Sequence, residues 1–221
     1  MEAKTNNRMR GGLLATLLGV ATFGCKGTES KGWLNVQPAY KLDSKSSTVR
    51  LEGGNNFGNR VNLYSFVDFY APENSTDLDT FYGEARIDYS LGGLSSKLDG
   101  LSLATEYNGG SDNEDLVRVG VKYDTSLLAG NYLSLRAFPF ETSGENGPKL
   151  GLFTTQQITD RISAQLLVNN YTDINKFYVE GELDFRVGDT ANLFVQGRSF
   201  GEFDEELFKN ATPVIGIKLT F

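Results

Sequence analysis

The feature that most restricts this chain is a two-residue rhythm that sets apolar side chains on one row and charged ones on the next. In FYGEARIDYSL, Phe81, Gly83, Ala85, Ile87, Tyr89 and Leu91 share a row, while Tyr82, Glu84, Arg86, Asp88 and Ser90 share the other. FYVEGELDFRV sets Val179, Leu183, Phe185 and Val187 against Tyr178, Glu180, Glu182, Asp184 and Arg186. DLVRVGVKYD sets Val117, Val119, Val121 and Tyr123 against Arg118, Gly120, Lys122 and Asp124. The last eleven residues, ATPVIGIKLTF, do the same, with Ile215, Ile217, Leu219 and Phe221 against Val214, Gly216, Lys218 and Thr220. Alternation of this kind is the signature of a β-strand with one greasy and one wettable face.

Read along its length, the chain resolves into strands of nine to eleven residues, the length a tilted barrel strand needs. They fall at 33–42, 47–56, 60–70, 81–91, 99–108, 115–124, 131–140, 149–158, 161–171, 177–187, 191–200 and 211–221. The first two boundaries are the loosest, because GGNNFGNR (53–60) reads either as a turn or as a bulge in one long strand. The connections alternate between long acidic ones (APENSTDLDT, NGGSDNED, ETSGENGP, GEFDEELFKN) and shorter ones (FGN, SLLAG, TD, GDT). Transmembrane barrels show that asymmetry, with long outer loops and tight periplasmic turns. The expected fold is therefore all-β, a transmembrane antiparallel up-and-down barrel of twelve strands, with ten as the alternative count.

Alternation alone does not say which row faces inward. Three features favour an apolar exterior. Twelve strands enclose more space than a small soluble barrel fills with side chains. A terminal Phe221 and strand-end tyrosines (Tyr70, Tyr89, Tyr107, Tyr123, Tyr171) suit the aromatic girdles of a membrane barrel. The amino terminus also carries an export signal.

That signal occupies 1–24. Lys4, Arg8 and Arg10 outnumber Glu2, an apolar run follows over 11–23, and Gly24-Cys25 precedes a polar chain. The run is too short to span a bilayer and reads as a secretory leader. Cys25 is a candidate for lipidation, although Thr22 stands where a lipobox usually has Leu; ordinary cleavage nearby is the alternative. Residues 25–32 form a short periplasmic lead, and 33–221 the outer-membrane barrel.

Composition removes whole classes of function. The chain has no histidine and one cysteine, so neither a Ser–His nor a Cys–His pair can be built. A zinc site would have to form without imidazole. A carboxylate-pair hydrolase remains formally possible, but nothing singles one out. A net charge of −7 argues against a nucleic-acid polymer as partner. The expectation is a protein that is not an enzyme and needs no cofactor.

If the apolar row meets lipid, the other row lines a lumen. Its charges are Arg50, Glu52, Asp68, Glu84, Arg86, Asp88, Glu106, Arg118, Lys122, Arg136, Glu180, Glu182, Asp184, Arg186, Arg198 and Lys218, with acids and bases balanced. Strands four and five are mostly acidic and six and seven basic. Its aromatics are Tyr64, Phe66, Tyr70 (counted here as well as in the girdle), Tyr82, Tyr132, Phe138, Phe140, Phe153, Tyr178, Phe194 and Phe200. Flat apolar surface in a pore serves a flat solute, since stacking a base on a ring is worth about 1–3 kcal/mol. The competing reading is that aromatics and ion pairs plug a narrow barrel.

The opening third, from WLNVQPAYKL through RVNLYSFVDFYAP to FYGEARIDYSLG, resembles the nucleoside-specific channel-forming Tsx family. The resemblance rests on Tyr64, Phe66, Asp68 and Phe69 before a loop beginning Ala71-Pro72, with Glu84 and Arg86 where that family keeps lumen-facing charges. It is clearest over 33–92. It implies a monomeric twelve-stranded barrel that passes nucleosides by facilitated diffusion without an energy source. This chain departs from the family in its trimmed outer loops and its single tryptophan, Trp33.

The leading functional expectation is an outer-membrane channel for small solutes, nucleosides first. Tyr64, Phe66, Tyr82 and Phe138 would stack the base, and Asp68, Glu84, Arg86, Glu106, Arg118, Arg136 and Arg198 would bind the sugar and line the constriction. Two alternatives stand beside it. One is a structural or adhesive barrel with a plugged lumen, whose acidic loops contact divalent cations and lipopolysaccharide. The other is a soluble exported β-protein holding an apolar ligand.

Overall fold

The computed structural model describes residues 30–221, apart from 59, 76, 112–114, 127–130, 143–146, 204–206, 208 and 210. The expected leader over 1–24, Cys25 and most of the 25–32 lead lie outside the described residues.

Twelve antiparallel strands close into one barrel. In chain order they are β1 Ser30–Lys41, β2 Ser46–Phe57, β3 Val61–Tyr70, β4 Thr80–Ser90, β5 Leu101–Gly110 and β6 Leu116–Thr125. Then come β7 Asn131–Glu141, β8 Lys149–Thr159, β9 Ile162–Tyr171, β10 Lys176–Arg186, β11 Ala191–Gly201 and β12 Thr212–Thr220. Each strand pairs with its neighbours in sequence, and β12 pairs with β1 to close the ring. The seam runs past the end of β12, because Phe221 and Leu34 exchange backbone hydrogen bonds of 2.9 and 3.2 Å. An 11-residue strand such as β4, at about 3.3 Å per residue and tilted by about 40°, rises roughly 28 Å. That matches the apolar band of about 25 Å that membrane barrels present.

The two rows are placed as alternation requires. Ile87, Leu103, Val119, Val195, Ile215 and Ile217 all lie outward and exposed. Glu84, Arg118 and Glu182 point inward, with relative exposures of 9, 1 and 8%. A charged interior inside an apolar exterior is the distribution of a barrel standing in lipid, so the soluble alternative with a greasy interior is set aside. Outward aromatics gather near the strand ends. Tyr89, Tyr123, Phe185 and Phe221 mark the end where β12 finishes, and Tyr40, Phe140 and Phe203 mark the opposite one.

The ambiguous stretch 53–60 resolves as strand followed by turn. Gly53, Gly54, Asn55 and Asn56 stay in register with Leu34, Trp33, Gly32 and Lys31, and the chain reverses at Gly58, whose φ of +60° suits a residue without Cβ. Turn asymmetry holds only in part. At the long-loop end, two connections are short, 42–45 and 172–175, the latter helped by Asn175 at φ 50°. At the other end, 91–100 is long and includes a single 3₁₀ turn, Ser96–Leu98.

Several side chains depart from the expected rows. Between β6 and β7, Val121 opposes Ala137 but Val119 opposes Phe140, so Gly120 faces two residues, Phe138 and Pro139. This is a β-bulge, and Pro139, which has no N–H to give a ladder, sits in it. The extra residue turns Phe140 out to 71% exposure, against the expectation of a lumen position, and turns Glu141 in toward Arg118. Gly120 permits it: an added Cβ would fall 2.0 Å from the Ala137 carbonyl oxygen. Tyr70 and Tyr171 are not girdle residues, since each occupies an inward position and lines the lumen. Phe200 keeps the inward row, opposite Tyr178, but at the strand end it is 55% exposed and packs edge-on against Tyr171. Arg186, also at a strand end, is exposed rather than lumen-bound.

Ile217→Lys places an ammonium in the lipid-facing row and is expected to destabilise the inserted barrel by about 2–4 kcal/mol if the site lies near the midplane. Denaturant-titrated folding into lipid vesicles measures this, with Ile217→Val, which keeps the row apolar, as the control that should fold like the wild type.

Candidate functional site

Inside the barrel lies a cavity of about 470 Å³, reaching from Tyr70, Tyr171 and Tyr178 at the long-loop end to Trp33 and Tyr132 at the other. One wall is an aromatic ladder. Trp33 on β1, Tyr64 and Phe66 on β3 and Tyr82 on β4 follow one another with centroids 6.3, 6.2 and 5.9 Å apart. Strand geometry explains the spacing: Tyr64 and Phe66 are two apart on β3, Tyr82 sits on the neighbouring β4, and Trp33 reaches Tyr64 from two strands away, across Gly54 of β2. Trp33 lies flat because it crosses Gly54, where a Cβ would fall 2.8 Å from the indole Nε1. Arginines cover the ladder, Arg50 standing 4.6 Å from the Phe66 centroid and Arg86 5.1 Å from that of Tyr64. A second aromatic pair, Tyr132 with Phe153 at 6.1 Å, lies on β7 and β8.

The charges form four groups. Near the long-loop end, Arg50 makes two bonds to Asp68 (2.6 and 2.8 Å), Arg198 meets Glu180 at 3.1 Å, and cross-contacts join Arg50 to Glu180 (3.6 Å) and Arg198 to Asp68 (3.5 Å). These residues sit on β2, β3, β10 and β11, so the group spans the β1/β12 seam from inside. On the other wall, Glu106 accepts from Lys149 (2.6 and 2.8 Å), Arg118 (3.1 Å) and Asn108 (3.0 Å), and Arg118 also reaches Glu141 at 3.2 Å. Toward the opposite end, Lys218 binds Glu182 at 2.6 Å and Asp184 at 3.0 Å. Lys122 binds Asp88 at 2.5 Å and Asp124 at 2.8 Å, and Arg86 approaches Asp88 to 3.4 Å. The acidic and basic strands are thus tied across the wall, which weakens the transverse field that their sequence order suggests.

Of the residues singled out by sequence, Tyr64, Phe66, Asp68, Tyr82, Glu84, Arg86 and Arg136 line the cavity. Glu106 and Arg118 are buried in their ion cluster, and Arg198 is engaged with Glu180 and Asp68. Phe138 faces inward but is fully covered, its ring 5.6 Å from the Lys149 ammonium, so it belongs to the wall rather than to the stacking surface. Sequence reasoning passed over Trp33, Lys149, Glu141, Leu167, Asn169 and the inward role of Tyr171. Lys149 was legible in principle, since it shares its row with Phe153. Glu141 was not, because only the bulge brings it in. Among the described residues, no group of His, Cys, Asp and Glu has the spacing of a metal site.

Buried charges held by several partners are costly to break. Lys149→Met leaves Glu106 short of two bonds and is expected to destabilise the folded barrel by about 3 kcal/mol or more. The double change Glu106→Gln with Lys149→Met should recover a large part of that loss in urea unfolding.

No family model matches the chain, and no curated protein matches its sequence. Its fold is nonetheless shared with solved structures. The KdgM porin superposes with a TM-score of 0.57 at 13% identity, over 86% of this chain and 99% of that one. The NanC porin does so with a TM-score of 0.57 at 10% identity, over 85% and 98%. At such identities the likeness is one of architecture: this chain has the closed twelve-stranded antiparallel barrel fold that it shares with these porins.

Proposed function

We propose that this protein is an outer-membrane channel through which small ring-bearing solutes, nucleosides foremost, diffuse passively. The observation that carries the reading is the aromatic ladder along a cavity of about 470 Å³, within the roughly 300–1,000 Å³ typical of small-molecule sites. A solute ring can move from Trp33 to Tyr64, Phe66 and Tyr82 in steps of about 6 Å, each weak enough to leave again. Solute hydroxyls have partners beside the ladder in Glu52, Asp68, Glu84 and Gln37. The resemblance of residues 33–92 to the nucleoside-specific family supports the solute class. Porin neighbours support the channel itself; one was solved in complex with disordered oligogalacturonate, an acidic sugar chain. In this reading the apolar band contacts lipid and lipopolysaccharide, and the barrel works as a monomer.

One observation favours the structural alternative. The ion groups on both walls at the long-loop end are multiply bonded, fully buried around Glu106 and Lys149 and partly buried around Arg50 and Arg198, as a brace would be. Uptake of radiolabelled nucleoside into proteoliposomes separates the two. A channel fills the vesicles faster than protein-free controls; a plugged barrel does not. Within the channel reading, Phe66→Ala removes one stacking step worth about 1–3 kcal/mol. It should raise the half-saturating nucleoside concentration by about five-fold or more, with folding into detergent preserved.

A further inference from the structure

Arg136 stands apart from the other cations of the cavity. Arg50, Arg86, Lys149 and Lys218 each contact a carboxylate, at 2.6, 3.4, 2.6 and 2.6 Å. Arg136 has no carboxylate within 4.0 Å among the described residues, and its Nε is buried without a hydrogen-bond partner. Carboxylates of Glu84, Glu106 and Asp88 are felt at longer range, as is the like charge of Arg86, but none of them makes contact. The stem of Arg136 crosses Gly151 on β8, where an added Cβ would lie 3.5 Å from its Cβ, and its guanidinium stands 5.9 Å from the Phe153 centroid. A guanidinium that lines a solute-sized cavity, with its stem packed on Gly151 and no carboxylate in contact among the described residues, can receive an anion.

We infer that Arg136 is a subsite for one anionic group, taking the carboxylate or phosphate of a solute whose ring rests on the aromatics of the same cavity. The inference rests on the channel reading and sharpens it: of two solutes with the same ring, the one that carries an anionic group binds more tightly. Geometry supports one anion rather than a chain of them, because the neighbouring cations are already held by carboxylates. A hydrogen bond to a charged group contributes about 1.5–3 kcal/mol, so the preference should be about ten-fold or more.

The test is blockade of single-channel current by the full-length protein in planar bilayers, with two matched pairs of solutes. Uridine against uridine 5′-monophosphate probes phosphate, and glucose against glucuronate probes carboxylate. The expected result is that the anion of at least one pair half-blocks at about one tenth the concentration of its neutral partner, and the responding pair identifies the group. Arg136→Gln should bring that ratio to about one. Equal blockade within both pairs by the wild type, or a preference that survives Arg136→Gln, overturns the assignment. Should Arg136→Gln not insert, Arg136→Lys keeps the charge but loses the two-pronged fork, and must lose at least about three-fold of the preference; no loss overturns it. A wild-type barrel that conducts and is blocked by uridine without regard to charge defeats only the Arg136 subsite. A barrel closed to all four solutes defeats the channel reading as well.

Discussion

Every backbone N–H and C=O within hydrocarbon must find a partner, and that demand decides the shape of this molecule. An open sheet of eleven pairings would leave two unpaired edges in lipid, each group costing several kcal/mol. The β1/β12 pairing removes both edges. Among the described strands it is the only pairing between strands distant in sequence, so it carries their longest loop closure. From inside, the Arg50–Asp68–Arg198–Glu180 group reaches across that same seam and ties its flanking strands together. Two independent devices therefore hold the one junction on which closure depends.

Closure in turn creates the interior, and the interior imposes a second constraint. Ionised groups taken from water are tolerated only when paired and hydrogen-bonded. Glu106 meets this with three donors, and Lys218 with two acids. These groups border the same cavity as the aromatic ladder, with Arg50 over Phe66 and Arg86 over Tyr64. A brace and a passage are not exclusive here, because a cavity of about 470 Å³ persists with the paired charges on its wall.

How much of this was legible beforehand depends on the kind of residue. Rows in uninterrupted strands were readable to the residue: Glu84, Arg86 and Asp88 sit inward and Ile87 outward, because alternation sorts the residues into two rows and an apolar exterior then orients both at once. Tyr171 was misjudged as a girdle residue and Tyr70 was counted on both faces, since a tyrosine near a strand end suits either face and only pairing decides. Phe140 was placed on the wrong face and Glu141 was missed, because a bulge leaves no mark on hydropathy beyond a proline in a strand. Trp33 was seen but not valued. Its position depends on Gly54 of the next strand, a cross-strand relation that needs the register. Partners such as Lys149 with Glu106, 43 residues apart, are likewise a product of barrel closure.

The bulge at Pro139 has a consequence for how such a wall can change. On a strand that alternates, one residue inserted or lost exchanges the faces of everything beyond it up to the next turn. Here the inserted residue affects only the two positions before the 142–148 loop, sending an aromatic to the membrane and an acid to Arg118. A barrel can thus recolour the rim of its bore by a change in length alone, with no side chain replaced and no strand lost.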